Sequence, residues 1–191
     1  MRVAALHSPT YAFGNSPKLA LWLQGCPHHC SGCIAPDWQN PEGGTEISSE
    51  RLLSHFQKRN LEAIVISGGE PLLQYEALLP FLKEIHGSGK GIIIYSGYPF
   101  LQIERHFSKI SLYCDLLISG PYIENLNSGK GLRGSENQQI HFFTQRYHAE
   151  KELFEAGDRQ IELIYDKDGL LLCGIPPLET LDTIRRAAAT P

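Results

Sequence analysis

Leu19-Ala20-Leu21-Trp22-Leu23-Gln24-Gly25-Cys26-Pro27-His28-His29-Cys30-Ser31-Gly32-Cys33 is the stretch that decides the fold. An unbroken apolar run at residues 19–23 leads straight into a loop that holds three cysteines. A short apolar run bounded by turn residues reads as a strand buried on both faces. The order repeats along the chain. Residues 63–66 end at Ser67-Gly68-Gly69-Glu70-Pro71, residues 92–95 at Ser96-Gly97-Tyr98-Pro99, and residues 116–118 at Ser119-Gly120-Pro121. Amphipathic stretches at 48–58, 74–85 and 100–107 separate these runs and predict helices, with Ser48 or Ser49 as the N-cap of the first. Strands alternating with helices predict an α/β fold around a mainly parallel sheet. Ligands gather at the carboxyl ends of such strands, where the cysteine loop and all three glycine turns fall, so one edge of the sheet is expected to carry the site.

After Tyr122 the pattern changes to a glycine-rich polar stretch at 127–138, which reads as a loop. Residues 161–165 and 170–173, joined through Asp166-Lys167-Asp168-Gly169, predict a C-terminal β-hairpin, and 180–189 a short terminal helix. A chain of 191 residues suits one substantial core, so a single domain over 1–191 is expected, with the hairpin and helix at about 160–190. The 17 basic and 21 acidic residues leave a slightly negative chain with no Lys or Arg run, which excludes sequence-independent nucleic-acid binding. Residues 1–8 break off before a signal-peptide core forms, and no apolar run is long enough to span a bilayer. A cytoplasmic protein with no membrane association is expected.

Cysteine usage points to metal. Five cysteines with three crowded into one loop make a poor disulfide framework and a good metal loop. Cys114 and Cys173 sit in apolar segments and read as buried small hydrophobes. Cys26, Cys30 and Cys33 also match the i, i+4, i+7 stripe of a helix face, but Gly25, Pro27 and Gly32 interrupt a helix there. Three thiolates supply one ligand fewer than a closed zinc site or a four-cysteine cluster requires. A cubane cluster held this way leaves one iron open for chemistry on a bound small molecule. Zinc with His28 or His29 as the fourth ligand is the competing reading, although a histidine between the first two cysteines would have to fold back sharply.

Ser67-Gly68-Gly69-Glu70-Pro71, taken alone, is an ordinary strand-to-helix turn, with Pro early in the helix and Glu favoured by the dipole. Beside an open-iron cluster it reads differently. Two glycines let a ligand approach the backbone, and a carboxylate among amide and carbonyl groups suits an ammonium group.

The segment 22–33 with the Gly-Gly-Glu-Pro turn resembles the radical S-adenosylmethionine (SAM) superfamily. Gly120-Pro121-Tyr122, followed by Leu132-Arg133-Gly134-Ser135-Glu136-Asn137-Gln138, is similar to segments of the activating proteins of anaerobic ribonucleotide reductases. The resemblance covers roughly residues 13 to 146. It implies an incomplete (β/α) barrel of radical SAM type, with Cys26, Cys30 and Cys33 holding one 4Fe-4S cluster and Gly68, Gly69 and Glu70 receiving the amino group of SAM. Ser96, Gly97 and Tyr98 would lie beside the SAM methionine or ribose. It further implies a one-electron cleavage of SAM to a 5′-deoxyadenosyl radical that abstracts hydrogen from a backbone glycine of a partner such as an anaerobic ribonucleotide reductase. A low-potential donor such as flavodoxin or ferredoxin would supply the electron.

The chain departs from that pattern at Ser119 and at Ile34-Ala35, which bears on the substrate and not on the cluster, and Gly14-Asn15-Ser16-Pro17-Lys18 matches the corresponding activator segment only loosely. Modification of a ribosomal peptide or small metabolite, and a non-enzymatic cluster or zinc module, are the rival readings. Gly129-Lys130-Gly131-Leu132-Arg133-Gly134 fits a dinucleotide-binding pattern but lacks the strand before it and the helix after it. Arg133, Asn137 and Gln138 divide between a solvated loop and the substrate side of the site. His28 and His29 are expected beside the cluster and not on it, and His141 and His148 show no pattern.

Overall fold

The computed structural model describes residues 1–166 and 169–188. In chain order its strands are β1 (Arg2–Thr10), β2 (Lys18–Leu23), β3 (Thr45–Glu46), β4 (Ala63–Gly68), β5 (Gly91–Ser96), β6 (Leu116–Ser119), β7 (Gln139–Phe142), β8 (Ile161–Asp166) and β9 (Gly169–Gly174). Its α-helices are α1 (Ser49–Gln57), α2 (Tyr75–Gly87), α3 (Phe100–His106), α4 (Ile110–Tyr113), α5 (Lys151–Glu155) and α6 (Leu178–Ala188).

The main sheet runs β3-β1-β2-β4-β5-β6-β7. β2, β4, β5 and β6 are parallel neighbours, and the flanking pairs β1–β2, β1–β3 and β6–β7 are antiparallel. The fold is mixed α/β with a parallel centre, as the apolar runs predict. The antiparallel edges were not legible. β1 (Arg-Val-Ala-Ala-Leu-His-Ser-Pro-Thr) and β7 (Gln-Ile-His-Phe) mix polar and apolar residues, because an edge strand is covered less completely than a central one.

Alternation along the central strands sorts their side chains into two cores. Leu19, Leu21, Leu23, Ile64, Ile66, Ile92 and Ile94 pack against Leu52 and Phe56 of α1 and Leu78, Phe81, Leu82 and Ile85 of α2. The α2 spacing of i, i+3, i+4 and i+7 is what a helix needs to lay one stripe on a sheet. Ser48 caps α1 by accepting the Arg51 backbone N–H at 3.3 Å. On the opposite face Ala20, Trp22, Val65, Ile93 and Ile118 meet Phe13, Phe154 and Cys173.

Cys173 brings β9 into this second core, where its sulfur lies 3.2 Å from Thr10 Oγ1. β8 and β9 pair antiparallel from Ile161↔Gly174 to Asp166↔Gly169. The hairpin turn at 167 and 168, and residue 189 of the expected terminal helix, lie outside the described residues. Among the described residues no helix is long and apolar enough to cross a membrane.

Candidate active site

The carboxyl ends of β2, β4 and β5 open onto one cavity of about 180 Å³. Cys26, Cys30, Cys33 and His28 line it together with the turn from Ser67 to Glu70. Ser96, the last residue of β5, and Gly97 after it line it as well. Residues more than forty positions apart in the chain thus meet at one sheet edge, as the strand ends predict.

The cysteine loop is shaped by its own backbone. Gly25 N–H donates to the Trp38 carbonyl at 2.8 Å and Cys26 N–H to that of Gln39 at 3.0 Å. The buried Gln24 side chain laces the loop's two arms, its amide donating to the carbonyls of Asp37 and Asn40 at 3.1 and 2.7 Å. Trp22 and Trp38 stack at a tilt beneath it, 5.6 Å between centroids. The chain reverses at Gly25, His29 and Gly32, with φ of 94°, 48° and 73°. These reversals let three thiols from eight residues line one wall, where a helix would have buried them as a stripe.

The glycine turn is bolted to that loop. The parallel pairing of β2 with β4 ends at Leu23↔Gly68 and continues as Gly69 N–H to the Leu23 carbonyl at 2.7 Å and Glu70 N–H to the Gly25 carbonyl at 2.8 Å. A Cβ on Gly68 would strike the Leu23 backbone, and one on Gly69 the Gly25 carbonyl. The close approach that demands glycine at these positions is therefore made by the chain's own backbone.

Glu70 is fully buried, and each carboxylate oxygen accepts two hydrogen bonds. Oε1 takes the Leu72 N–H and the Ser96 hydroxyl, both at 2.9 Å. Oε2 takes the Gly97 N–H at 2.7 Å and meets His28 Nε2 at 3.0 Å. This carboxylate is the knot that joins the cysteine loop, the glycine turn and the end of β5. Gly97 is a glycine because a Cβ there would run into the His28 ring, 2.6 Å away. Tyr98 is not among the lining residues and instead presents its ring to His28 edge-on at 4.6 Å.

The donor set answers the metal question. No disulfide engages any of the five cysteines. Among the described residues no three His, Cys, Asp or Glu side chains converge as the ligands of a single ion. His28 Nε2 lies 3.0 Å from Glu70 Oε2 and His29 Nδ1 3.0 Å from Gln39 Oε1, and neither ring joins the thiols in a converging set. Three thiols spread along one wall suit a cluster broader than an ion. Burial pushes the Cys26 thiol up, the His28 backbone N–H pulls it back, and Glu70, Cys30 and Cys33 add to the rise.

One contributor carried no readable signal. Tyr95 is partly buried and lines the cavity, its hydroxyl donates to the Leu132 carbonyl at 2.8 Å, and burial holds its phenol above the ordinary range. Gln138 reaches the cavity and binds the loop around it, accepting from the Gly134 N–H at 2.8 Å and donating to the Gly120 carbonyl at 2.8 Å. Arg133 and Asn137 brace the same loop through the Gln138 and Pro121 carbonyls, at 3.1 and 2.7 Å. Ser119 turns to His141, 2.9 Å away, and His141 stacks on Phe100. In the dinucleotide-like stretch Gly131 serves packing, since a Cβ there would sit 2.6 Å from the carbonyl oxygens of Phe154 and Glu155.

Residues 13–141 match the family described as a 4Fe-4S single cluster domain. The chain belongs to that family. The match begins before the cysteine loop and ends within β7, so it takes in the cysteines, the glycine turn and the Arg133–Gln138 loop. A curated relative, the anaerobic ribonucleoside-triphosphate reductase-activating protein of Enterobacteria phage T4, is 30% identical over 138 residues, which are 67% of this chain and 86% of the relative. Its counterpart in Haemophilus influenzae is 29% identical, covering 68% of this chain and 90% of that protein. The pyruvate formate-lyase-activating enzyme of Clostridium pasteurianum is 29% identical over 71% of this chain and 60% of its own length. This 4Fe-4S chain stands among the radical SAM activating proteins, as its motifs anticipate. It also overlays half of the crystal structure of QueE from Escherichia coli, at 22% identity and a TM-score of 0.42.

Proposed function

We propose that this protein is a radical SAM activating enzyme that installs a glycyl radical in a partner such as an anaerobic ribonucleotide reductase. The observation that carries the reading is the meeting of Cys26, Cys30 and Cys33 with the Ser67–Glu70 turn on one cavity at the carboxyl ends of parallel strands, in a chain of the 4Fe-4S family. Cys26, Cys30 and Cys33 would hold one cluster, and Gly68, Gly69 and Glu70, with Ser96 and Gly97, would receive SAM. A reduced cluster held there would supply one electron for cleavage of SAM at its C5′–S bond, giving methionine and a 5′-deoxyadenosyl radical able to take a hydrogen atom from a substrate glycine.

The chain's own part is to hold three thiols on one wall, fix the height of the glycine turn against them and keep water out. The Glu70 network does the fixing. The apolar parts of the lining, with Ile34 and Tyr95 among them, exclude water that would quench a radical. We further read the domain as an incomplete (β/α) barrel over 1–191 and place it in the reducing cytoplasm, with flavodoxin or ferredoxin as the electron donor. Tyr98 supports the site through His28, without touching the cavity.

Anaerobic reconstitution with iron and sulfide tests the proposal. Dithionite and SAM should yield 5′-deoxyadenosine, and added anaerobic ribonucleotide reductase should develop a glycyl-radical EPR doublet. A reconstituted, iron-replete protein that leaves SAM intact would end this reading.

A further inference from the structure

Two residues of the cavity lining belong to chain that the family match does not include. Ile175 and Pro176, which follow β9, line the cavity that the cysteines line. They are not loosely attached. Arg159 donates to the carbonyls of Gly131 at 2.8 Å, Lys130 at 3.0 Å and Arg133 at 2.6 Å, and to Asn127 Oδ1 at 2.7 Å. Its remaining contact, at 3.5 Å, is the carbonyl of Pro176. One guanidinium therefore ties the glycine-rich loop, whose Asn127 and Gly134 reach the cavity, to the segment that carries Ile175 and Pro176.

The backbone repeats the attachment. Gly131 N–H donates to the Gly157 carbonyl and Leu132 N–H to that of Phe154, both at 2.8 Å. Gly131, at φ 66°, is the residue without a Cβ that lets the loop lie against the end of α5. An arginine spending its donors on backbone carbonyls, with no carboxylate among the partners found, fixes loop shape.

We infer that Ile175 and Pro176 form a substrate-side wall of the active site, with Ile175 limiting what can reach the cysteine side and Arg159 the positioning residue that holds the wall. This rests on the activase reading and extends it. An apolar wall fits an extended backbone with no side chain at the reacting carbon, which is a glycine-containing loop of a protein partner. It disfavours a charged metabolite, for which it offers Ile175 and Pro176 and no counter-ion.

Three variants and two readouts test the wall. In Arg159→Gln, before any cluster is loaded, hydrogen exchange at the Gly131 and Leu132 amides should rise about tenfold, with Arg159→Lys in between. With cluster, SAM, dithionite and the anaerobic reductase, the yield of glycyl radical per 5′-deoxyadenosine should fall about fivefold or more in both Arg159→Gln and Ile175→Trp. A merely structural residue would lower both products together and leave the ratio alone. Exchange within about twofold of wild type in Arg159→Gln would remove the clamp. An unchanged ratio in both variants would overturn the wall. If wild type makes no 5′-deoxyadenosine, the activase reading fails, while the exchange experiment still decides whether Arg159 holds these segments together.

Discussion

Glu70→Gln distinguishes a carboxylate that waits for a ligand from one already used by the fold. The native side chain accepts from Leu72 N–H, Ser96 Oγ, Gly97 N–H and His28 Nε2 while buried at 0% exposure. Glutamine keeps one oxygen and turns an amide NH2 toward the other pair. Ser96 and His28 adapt, by rotating a hydroxyl or changing tautomer, but a backbone N–H cannot. Whichever way the amide is placed, Leu72 or Gly97 loses its acceptor, at about 1–3 kcal/mol, and the surviving bonds lose the strength lent by a charged acceptor. The total is about 3 kcal/mol, which in a chain of this size lowers Tm by about 6–12 °C. The assay is thermal and urea unfolding of the protein before cluster loading, with no SAM present. A Tm within about 1 °C of wild type would refute the reasoning and return Glu70 to the role of an uncommitted ligand-binding group.

Three further outcomes follow from the same geometry. Alanine at Cys26, Cys30 or Cys33 should cut iron retained after reconstitution and abolish 5′-deoxyadenosine formation, whereas Cys114→Ala, deep in the core, should keep both and cost about 1 kcal/mol in urea unfolding. Gly131→Ala should destabilise by about 2–4 kcal/mol in the same assay, because φ 66° and the two carbonyl oxygens at 2.6 Å both oppose a Cβ. Burial raises the Cys173 thiol from 9.0 to about 12, so the folded protein keeps a proton there that the unfolded chain gives up. That stabilisation is complete below pH 9.0 and is lost as pH rises toward about 12, so Cys173→Ala should show a shallower alkaline decline when unfolding free energy is followed against pH.

The parallel centre and its edge were legible because central strands must be apolar on both faces and because glycine and cysteine cluster where such strands end. The 48–58 stretch became α1 with Ser48 as its cap, since local chemistry alone settles a cap. The 100–107 stretch became α3, ending at His106, with the separate short helix α4 after it. The sequence reading placed the cysteines on one loop and the Gly-Gly-Glu turn beside them, but the buried Glu70 knot and the backbone contacts of Gly68 and Gly69 with Leu23 and Gly25 were not legible. Hydrogen bonds such as His28 to Glu70 join residues 42 positions apart and leave no periodic trace. Arg159 and Ile175 were hidden for the same reason. Nothing in an isolated arginine or in Gly-Ile-Pro-Pro announces a cavity wall until the hairpin docks through Cys173.

The wall also has a place in time. A ribosome adds about 5–20 residues per second, and earlier parts of a chain begin to fold first, so Ile175 and Pro176 appear roughly 2–7 s after residue 141 has been made. For that interval the cysteine side of the cup stands without its lid side, and a metal-delivery machine working during translation would meet the thiols at their widest access.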